Sequence, residues 1–408
     1  MTNNYIVHAG KIVTVSSLGT IYDGAMIIKD GKIAKVGNWN TLRSQFPSLS
    51  VTDYSNYVIT PSLVDCHTHL LEFAPSSLYP VTPTTHLLTG KSILLHALRS
   101  GITALGEQVC GHPNSDFSIT DYRQAVKDLP LDISFAATSI SIGFSELVHF
   151  TAVTKSKAVR QADLSDPGIV KEIAGQNDYP GENLFINATP ANFTPEEVPC
   201  AGEIIYTLEE LKSIVKIYHQ YGKQIGLHVA GEEAIEMTLE AGFDVLHHAH
   251  GITDEQIKKA NLQGARIVAT PMGGTHLEPN SPENILELVE NKIDVSIATD
   301  AYLPPYPNVD WLPFKEQSLQ GPDVFMKIAH PGMMLLQENG FDENETLALL
   351  TANPAAILGK EDQFGKLQQG MDANFVVTTG VPGLEITDVK DIKVVYFRGD
   401  RVVDRLSG

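Results

Sequence analysis

Four histidines and one aspartate, each placed where a short apolar run ends, have the side chains of a metal site. Imidazole nitrogens and a carboxylate suit zinc, and they also bind iron, manganese or nickel less selectively. A divalent ion held in this way lowers the pKa of a bound water and so prepares it for hydrolysis. The sequence therefore predicts a metal centre, with zinc favoured, built from His67, His69, His228, His248 and Asp300.

The spacing of the first pair supports this prediction. On a strand, residues i and i+2 share a face, so His67 and His69, in the run LVDCHTH, can both point to one site. Two surface histidines would give the same pattern, but the apolar run and the neighbouring Asp65 favour ligands. His228, at the end of QIGLHV, would alone be predicted as a hydrogen-bonded core histidine. Beside an HxH pair, it is predicted as a third ligand.

His248 lies in the segment DVLHHAHG, which offers three histidines for one role. If the strand continued, His248 and His250 would share a face. We expect instead that the strand ends near His248 and leaves His250 in the loop. On this interpretation His248 faces inward, and His247 has a structural role.

Asp300 follows the alternating run VSIAT. A carboxylate at this point could simply cap the next helix. In a metal site it would both contact the ion and accept a proton from the bound water.

Strands and helices alternate between about residues 61 and 364, and this pattern predicts the scaffold. Thr207 and Glu210 form a capping box at the start of one intervening helix, and Gly222 is its stop. Eight βα units in about 300 residues predict an α/β fold, a closed (β/α)8 TIM barrel, with functional groups at the carboxyl ends of the strands. The eight runs that read as strands are 63–69, 102–107, 133–140, 184–189, 224–229, 244–248, 266–270 and 294–300.

The two ends of the chain read as β structure. Asp30-Gly31 predicts a hairpin between two alternating runs, and Gly399-Asp400 predicts a second turn near the C-terminus. We therefore expect residues 1–60 and 366–408 to form one small β-sandwich domain, and residues 61–365 to form the barrel domain.

Composition restricts the partners and the compartment. The chain has 49 acidic and 29 basic residues, a net charge of −20. Nucleic acids and anionic membranes both require a basic face, so neither is expected as a partner, and a small-molecule substrate is. The three cysteines form no CxxC pair. With no basic, apolar leader and no apolar stretch of about 20 residues, we expect a cytoplasmic protein without a signal peptide.

Four segments together resemble the amidohydrolase superfamily. They are PSLVDCHTHL, GLHVAGEEAIEMTLEAGFDVLHHAHG, SIATDA and TANPAAILGKEDQFGKLQQGMDANFVV, similar to strand one, strands five and six, strand eight and the C-terminal signature of that family. The resemblance implies metal ligands at His67, His69, His228 and Asp300. It also implies that Asp300 acts as general base and acid, and that His248 is a second-metal ligand or polarises a carbonyl.

One departure from the family bears on the number of metal ions. Prolidase-like members with two metals carry a carboxylated lysine on strand four, and here Phe185, in LFINAT, stands at that position. One ion is therefore favoured over two, as in the imidazolonepropionase-like branch. Glu107 could replace the lysine as a bridge, but it is favoured as a substrate-contacting or structural carboxylate.

The resemblance implies hydrolysis of a C–N bond in an amide, a cyclic amide or a dipeptide-type substrate. Related deaminases have a glutamate where this chain has Gly231. A deaminase of amino-heterocycles or amidines is therefore the alternative and not the leading prediction. A metal-binding barrel without turnover and a plain barrel with structural histidines are further alternatives. Dimers are common among similar proteins, so a homo-oligomer is expected by analogy only. The substrate-binding residues that we predict are Glu107, His112, His276 and Tyr302, with Glu72, Gln108, Met272 and Trp311 as further candidates.

Overall fold

Strands and helices alternate along the computed structural model. It describes residues 4–73, 82–109, 118–137, 164–177, 179, 202–204, 206–314 and 316–406. In chain order the strands are β1 Tyr5–Val13, β2 Thr20–Lys29, β3 Lys32–Asn38, β4 Ser50–Pro61, β5 Leu63–Thr68, β6 Ile102–Val109, β7 Asp132–Ala137, β8 Gly226–Ala230, β9 Val245–His250, β10 Arg266–Ala269, β11 Val295–Ile297, β12 Phe375–Thr378, β13 Ile392–Phe397 and β14 Asp400–Asp404. The α-helices are α1 Trp39–Gln45, α2 Leu70–Phe73, α3 Pro83–Arg99, α4 Ile119–Val126, α5 Pro167–Gln176, α6 Leu208–Gln220, α7 Glu232–Ala241, α8 Asp254–Gln263, α9 Pro282–Glu290, α10 Phe325–Glu338, α11 Glu343–Ala348 and α12 Ala352–Ile357.

Both ends of the chain contribute strands to one seven-stranded sheet, in the order β14-β13-β12-β4-β1-β2-β3. The predicted hairpin at Asp30-Gly31 is confirmed, because both residues have positive φ, 51° and 77°, between the antiparallel strands β2 and β3. The second turn lies one residue earlier than predicted. Its left-handed residues are Arg398 and Gly399, and β14 already begins at Asp400.

One helix within the first 60 residues was not predicted. Asn38 caps α1 by accepting a hydrogen bond from the backbone N–H of Asn40, and Leu42 is the buried residue of this short helix. A helix of two turns buries too few residues to give a clear apolar period, so only the capping asparagine marked it in the sequence.

Seven of the predicted central strands are present, all parallel to their neighbours. They form a three-stranded sheet, β5-β6-β7, and a four-stranded sheet, β11-β10-β9-β8, in which the described strands do not close into a barrel. The predicted strand at 184–189 lies outside the described residues. The two sheets meet just past the ends of β5 and β11, where His69 N–H donates to Ala301 O at 2.9 Å and Asp300 N–H donates to His67 O at 3.1 Å.

One face of both parallel sheets contributes to a single buried apolar cluster, and helices cover the other face. The predicted capping box is confirmed on one of these helices, α6, where Thr207 and Glu210 each hold the backbone N–H of the other. The shared cluster includes Val64, Cys66, Ala104, Ala136, Val245, Val268 and Ala298.

Among the residues that the structure describes, no helix is both long enough and apolar enough to span a lipid bilayer.

Candidate metal centre

The five predicted ligands lie at the carboxyl ends of parallel strands. His67 is in β5 and His69 directly follows it, while His228 and His248 are in β8 and β9. Asp300 follows β11, and its backbone N–H is bonded to the carbonyl of His67. Strands that run parallel end at the same edge, so residues far apart in sequence become neighbours.

Asp300 is at the centre of the cluster. Its Oδ1 lies 3.1 Å from Nε2 of His67 and 3.3 Å from Nε2 of His69, and its Oδ2 lies 4.0 Å from Nε2 of His248. One donor atom from each of His67, His248 and Asp300 lies within 4.8 Å of the others. The ring of His228 is 4.3 Å from that of His248, centroid to centroid. The structure therefore brings all five predicted residues together.

Two buried imidazole nitrogens in this cluster make no hydrogen bond to any residue that the structure describes. Nδ1 of His67 lies 2.7 Å from Nδ1 of His247, and Nδ1 of His248 lies 2.7 Å from Thr270 Oγ1. The Nε2 atoms of both rings, by contrast, have no hydrogen-bond partner within the described parts of the chain. An unsatisfied buried polar atom costs about 1–3 kcal/mol, and a metal ion at His67 or a substrate carbonyl at His248 would satisfy it. This donor set fits a divalent metal ion.

The charges of the cluster also suit metal binding. Burial lowers the pKa values of His67, His228 and His248, which favours neutral imidazoles. Burial alone would raise the pKa of Asp300, but the neighbouring His67 and His69 hold it well below its usual range. Metal ligands must be deprotonated, and a carboxylate among neutral histidines meets that requirement.

Gly274 closes one side of the cluster. It has a φ of 118°, and a Cβ at this position would lie 2.5 Å from both Asp300 Oδ2 and His248 Cε1. A residue with a side chain would collide with the site, so glycine permits the loop after β10 to pass this close.

A family model described as the amidohydrolase family matches residues 58–402. The chain belongs to the amidohydrolase family. It is similar to an imidazolonepropionase of Pyrobaculum arsenaticum, with 25% identity over 314 residues, covering 72% of this chain and 77% of that protein. It is also similar to a 5-methylthioadenosine/S-adenosylhomocysteine deaminase of Desulforudis audaxviator, with 22% identity over 378 residues, covering 88% and 81%. A crystal structure of a Xaa-Pro dipeptidase shares the fold, with a TM-score of 0.72, 16% identity and coverage of 98% and 99%.

These findings confirm the predicted superfamily and class. Amidohydrolases are metal-dependent enzymes that hydrolyse carbon–nitrogen bonds, and this chain is a hydrolase of that class. A cluster of histidine and aspartate, His67, His248 and Asp300, is present where such an enzyme needs a metal site.

A second carboxylate of this amidohydrolase, Asp65, joins the two halves of the site. It is fully buried and accepts hydrogen bonds from the backbone N–H of Thr299 at 3.2 Å and from its hydroxyl at 2.6 Å. Burial raises the pKa of Asp65 to about 7, against the opposing effect of these bonds. The contact fixes β5 to the segment that carries Asp300.

Glu107, predicted to contact substrate or to be structural, is bound to its own protein. Its carboxylate accepts hydrogen bonds from Thr68 Oγ1 at 2.7 Å and from the backbone N–H groups of Leu70 and Leu71 at 3.2 and 2.7 Å. Burial raises its pKa to about 7. These contacts hold the turn after His69, and a substrate contact stays a prediction.

The other predicted substrate residues are distributed around the site. His276 follows the Gly274 loop, and its Nδ1 is buried without a hydrogen bond to the described residues. Tyr302 is half-buried and packs beside Gly321, where a Cβ would lie 2.7 Å from its ring. His112 lies outside the described residues. Gln108, one of the further candidates, is fully buried at the end of β6, and neither atom of its amide is hydrogen-bonded to the residues described.

His250 does not lie in a loop as predicted. β9 continues to His250, although His248 and Ala249 have left-handed φ values of 70° and 50°. The ring of His250 is buried, with Nδ1 2.7 Å from Thr275 Oγ1 and Nε2 3.2 Å from Thr270 Oγ1. The backbone of L-residues rarely adopts this conformation, so the alternating pattern gave no signal for it.

The threonines beside these histidines were also missed by sequence reasoning. Thr270 ends the run RIVAT and contacts both His248 and His250. A threonine at the end of a strand is common, so its type and position carried no functional signal.

Proposed function

We propose that this amidohydrolase hydrolyses the C–N bond of a small amide, cyclic amide or dipeptide-type substrate at a centre with one divalent metal ion. The observation that carries the proposal is the convergence on the carboxylate of Asp300 of two buried Nε2 atoms that make no hydrogen bond to the described residues. The imidazolonepropionase relative favours a cyclic amide, because an imidazolone ring is one.

We assign the ion to His67, His69, His228 and Asp300. Oδ1 of Asp300 faces His67 and His69 at 3.1 and 3.3 Å, whereas Oδ2 faces the more distant His248. This division favours Oδ1 as the metal ligand. It leaves Oδ2 as the oxygen that exchanges protons, with His248 beside it.

The chemistry divides between the ion and the protein. A divalent ion supplies Lewis acidity, which lowers the pKa of a water from about 16 toward about 7. Asp300 accepts a proton from the water through Oδ2 and returns it to the leaving nitrogen. His248 polarises the substrate carbonyl, and Thr270 holds its ring by the contact at Nδ1. Burial of the cluster strengthens each of these charge interactions.

Zinc and a single ion are part of the proposal. The imidazole and carboxylate donors support zinc over iron, manganese or nickel. The phenylalanine at 185, in place of a bridging lysine, supports one ion. We further propose that the parallel strands close into a TIM barrel (61–365), that the terminal strands form a β-sandwich domain (1–60 and 366–408), and that the cysteine-poor chain works in the reducing cytoplasm.

Gln108, His276 and Tyr302 are our proposed substrate contacts. Gln108 has the strongest support, since its fully buried amide has no partner among the described residues, and such amides are rare in a folded protein. A bound amide, which both donates and accepts hydrogen bonds, would satisfy both ends of this side chain.

A deaminase is the second candidate, since a relative of that kind covers most of the chain. Gly231, however, has a φ of 91° and offers no side chain where the deaminases that this chain resembles carry a glutamate. Release of ammonia from an amino-heterocycle would identify a deaminase.

Elemental analysis of the purified protein, with His67→Ala as control, tests the metal centre. We expect about one equivalent of zinc in the wild type and a large loss in the variant. Two equivalents would show a bridging ligand elsewhere, and no metal after reconstitution would refute the proposed function.

Activity and metal content together test the assigned roles. The wild type is screened on amides, lactams and amino-heterocycles. His248→Ala should keep its zinc and lose kcat. Loss of zinc from this variant would instead make His248 a ligand.

A further inference from the structure

The contact between His67 and His247 joins two buried imidazole rings. Their Nδ1 atoms are 2.7 Å apart, and the side chains are 1% and 0% exposed. Two ring nitrogens at this distance share one hydrogen, so one ring donates and the other accepts. The direction of this bond decides which nitrogen of His67 keeps a lone pair.

The other side of the His247 ring determines that direction. Nε2 of His247 lies 3.4 Å from the hydroxyl of Tyr179, and that hydroxyl donates to the backbone carbonyl of Cys66 at 2.8 Å. A carbonyl can only accept, so it engages the single hydrogen of the hydroxyl. The hydroxyl oxygen can then only accept from His247, whose Nε2 must carry a hydrogen.

The hydrogen positions of both rings follow from this step. A His247 ring that carries its hydrogen at Nε2 has an acceptor at Nδ1, the atom 2.7 Å from Nδ1 of His67. His67 must therefore donate from Nδ1. Its Nε2, the atom that lies 3.1 Å from Asp300 Oδ1, is left with a lone pair.

The space around His247 is shaped for this arrangement. A Cβ at Gly226, in β8, would lie 2.9 Å from Nε2 of His247. The ring is also enclosed by His67 and Tyr179, with centroid distances of 4.7 and 6.1 Å. A side chain at Gly226 would displace the atom that faces the hydroxyl.

We propose that His247 is a positioning residue that fixes the tautomer and the orientation of His67, through a hydrogen-bond chain that begins at the carbonyl of Cys66 and passes through Tyr179. This inference rests on the proposed metal centre and deepens it. Partners of this kind typically change metal affinity by about 10- to 100-fold.

Two substitutions at His247 separate positioning from packing. His247→Leu removes both nitrogens, whereas His247→Asn keeps an amide oxygen near the position of Nδ1. The zinc affinity of each variant is measured by competition with a chelator, and the visible spectrum of the cobalt-loaded protein reports ligand geometry. We expect His247→Leu to weaken zinc binding by about 10- to 100-fold and to change the cobalt spectrum, and His247→Asn to recover most of the loss.

A third variant avoids the risk that His247→Leu does not fold. Tyr179→Phe removes only the hydroxyl, and we expect it to weaken zinc binding in the same direction but less. Nitrogen-15 NMR of the zinc-loaded wild type should show His247 protonated at Nε2 and His67 at Nδ1.

Several outcomes would overturn the proposal. These are unchanged zinc affinity in both His247→Leu and Tyr179→Phe, equal losses in the leucine and asparagine variants, or a His247 protonated at Nδ1. A wild type that binds zinc no better than His67→Ala would refute the metal centre itself, and this proposal with it.

Discussion

At the scale of single residues, Gly274 tests how closely the loop after β10 packs against the site. We expect Gly274→Ala to reduce zinc binding and activity strongly, because the added Cβ would lie 2.5 Å from Asp300 and from His248. Gly340→Ala is the matched control, since Gly340 has a similar positive φ of 93° and none of the described atoms would lie within 4 Å of the added Cβ. Both variants carry a backbone cost of about 1–3 kcal/mol. Equal zinc content in the two would contradict the prediction.

A substitution at Gln108 should change the free energy of unfolding and kcat/KM in different ways. Gln108→Leu removes a buried amide that makes no hydrogen bond to the described part of the chain, so the free energy of unfolding should stay constant or rise by about 1 kcal/mol. If Gln108 binds substrate, kcat/KM falls in the same variant. Gln256→Leu should instead lower the free energy of unfolding and leave kcat/KM unchanged, because Gln256 donates to Glu232 O at 2.7 Å and completes the capping box of α8 with Thr253. Denaturant unfolding measures the stability of both variants, and steady-state kinetics measure their activity. Full activity in Gln108→Leu would exclude a substrate contact at Gln108.

The sequence predicted the five clustered residues but not their surroundings. His67, His69 and Asp300 could be predicted because ligand types recur at the ends of apolar runs. Thr270, Thr275 and the left-handed backbone at His248 could not, since they depend on which loops meet above the strands.

At the scale of helices and strands, apolar pattern and caps carried most of the information. Strand positions followed the apolar runs, and α6 followed its capping box. The predictions failed at the short helix α1 and at the end of β9, because neither is set by an apolar period. Closure of the parallel strands depends on residues far apart in the chain and stays a prediction.

The capping box of α6 gives a prediction at this scale. Thr207→Ala should lower the free energy of unfolding by about 1 kcal/mol, because it leaves the backbone N–H of Glu210 without its partner. Zinc binding should not change, since α6 supplies no predicted ligand. Glu209→Ala, in the same first turn but outside the box, serves as control and should cost less when both are unfolded in urea.

At the scale of the whole molecule, the terminal sheet and the metal centre are connected through one strand. β12 pairs with β4 from Val58 to Pro61, and β5 begins at Leu63, shortly before His67. The strand that leads into the first ligands, β4, is therefore held by strands from both ends of the chain, β1 and β12.

Metal removal should destabilise the whole molecule. An ion that binds only the folded state stabilises it by about 2.7 kcal/mol at a free concentration of 100 times Kd. We expect chelation to lower the Tm of the wild type but not that of His67→Ala. The variant His219→Ala, which changes an exposed histidine paired with Asp244, should respond to chelation as the wild type does. A wild-type Tm that changes with neither chelator nor zinc would show that the ion does not stabilise the folded protein.

The bond between Asp65 and Thr299 spans 234 residues of sequence. A ribosome that adds about 5–20 residues per second needs on the order of ten to fifty seconds to make the second partner after the first. During that interval His67 and His69 exist without Asp300, so a nascent chain has at most part of the site. Loading of the proposed site is consequently a late event in biosynthesis, and we expect the ions available when synthesis ends, rather than when it begins, to influence which metal this enzyme carries.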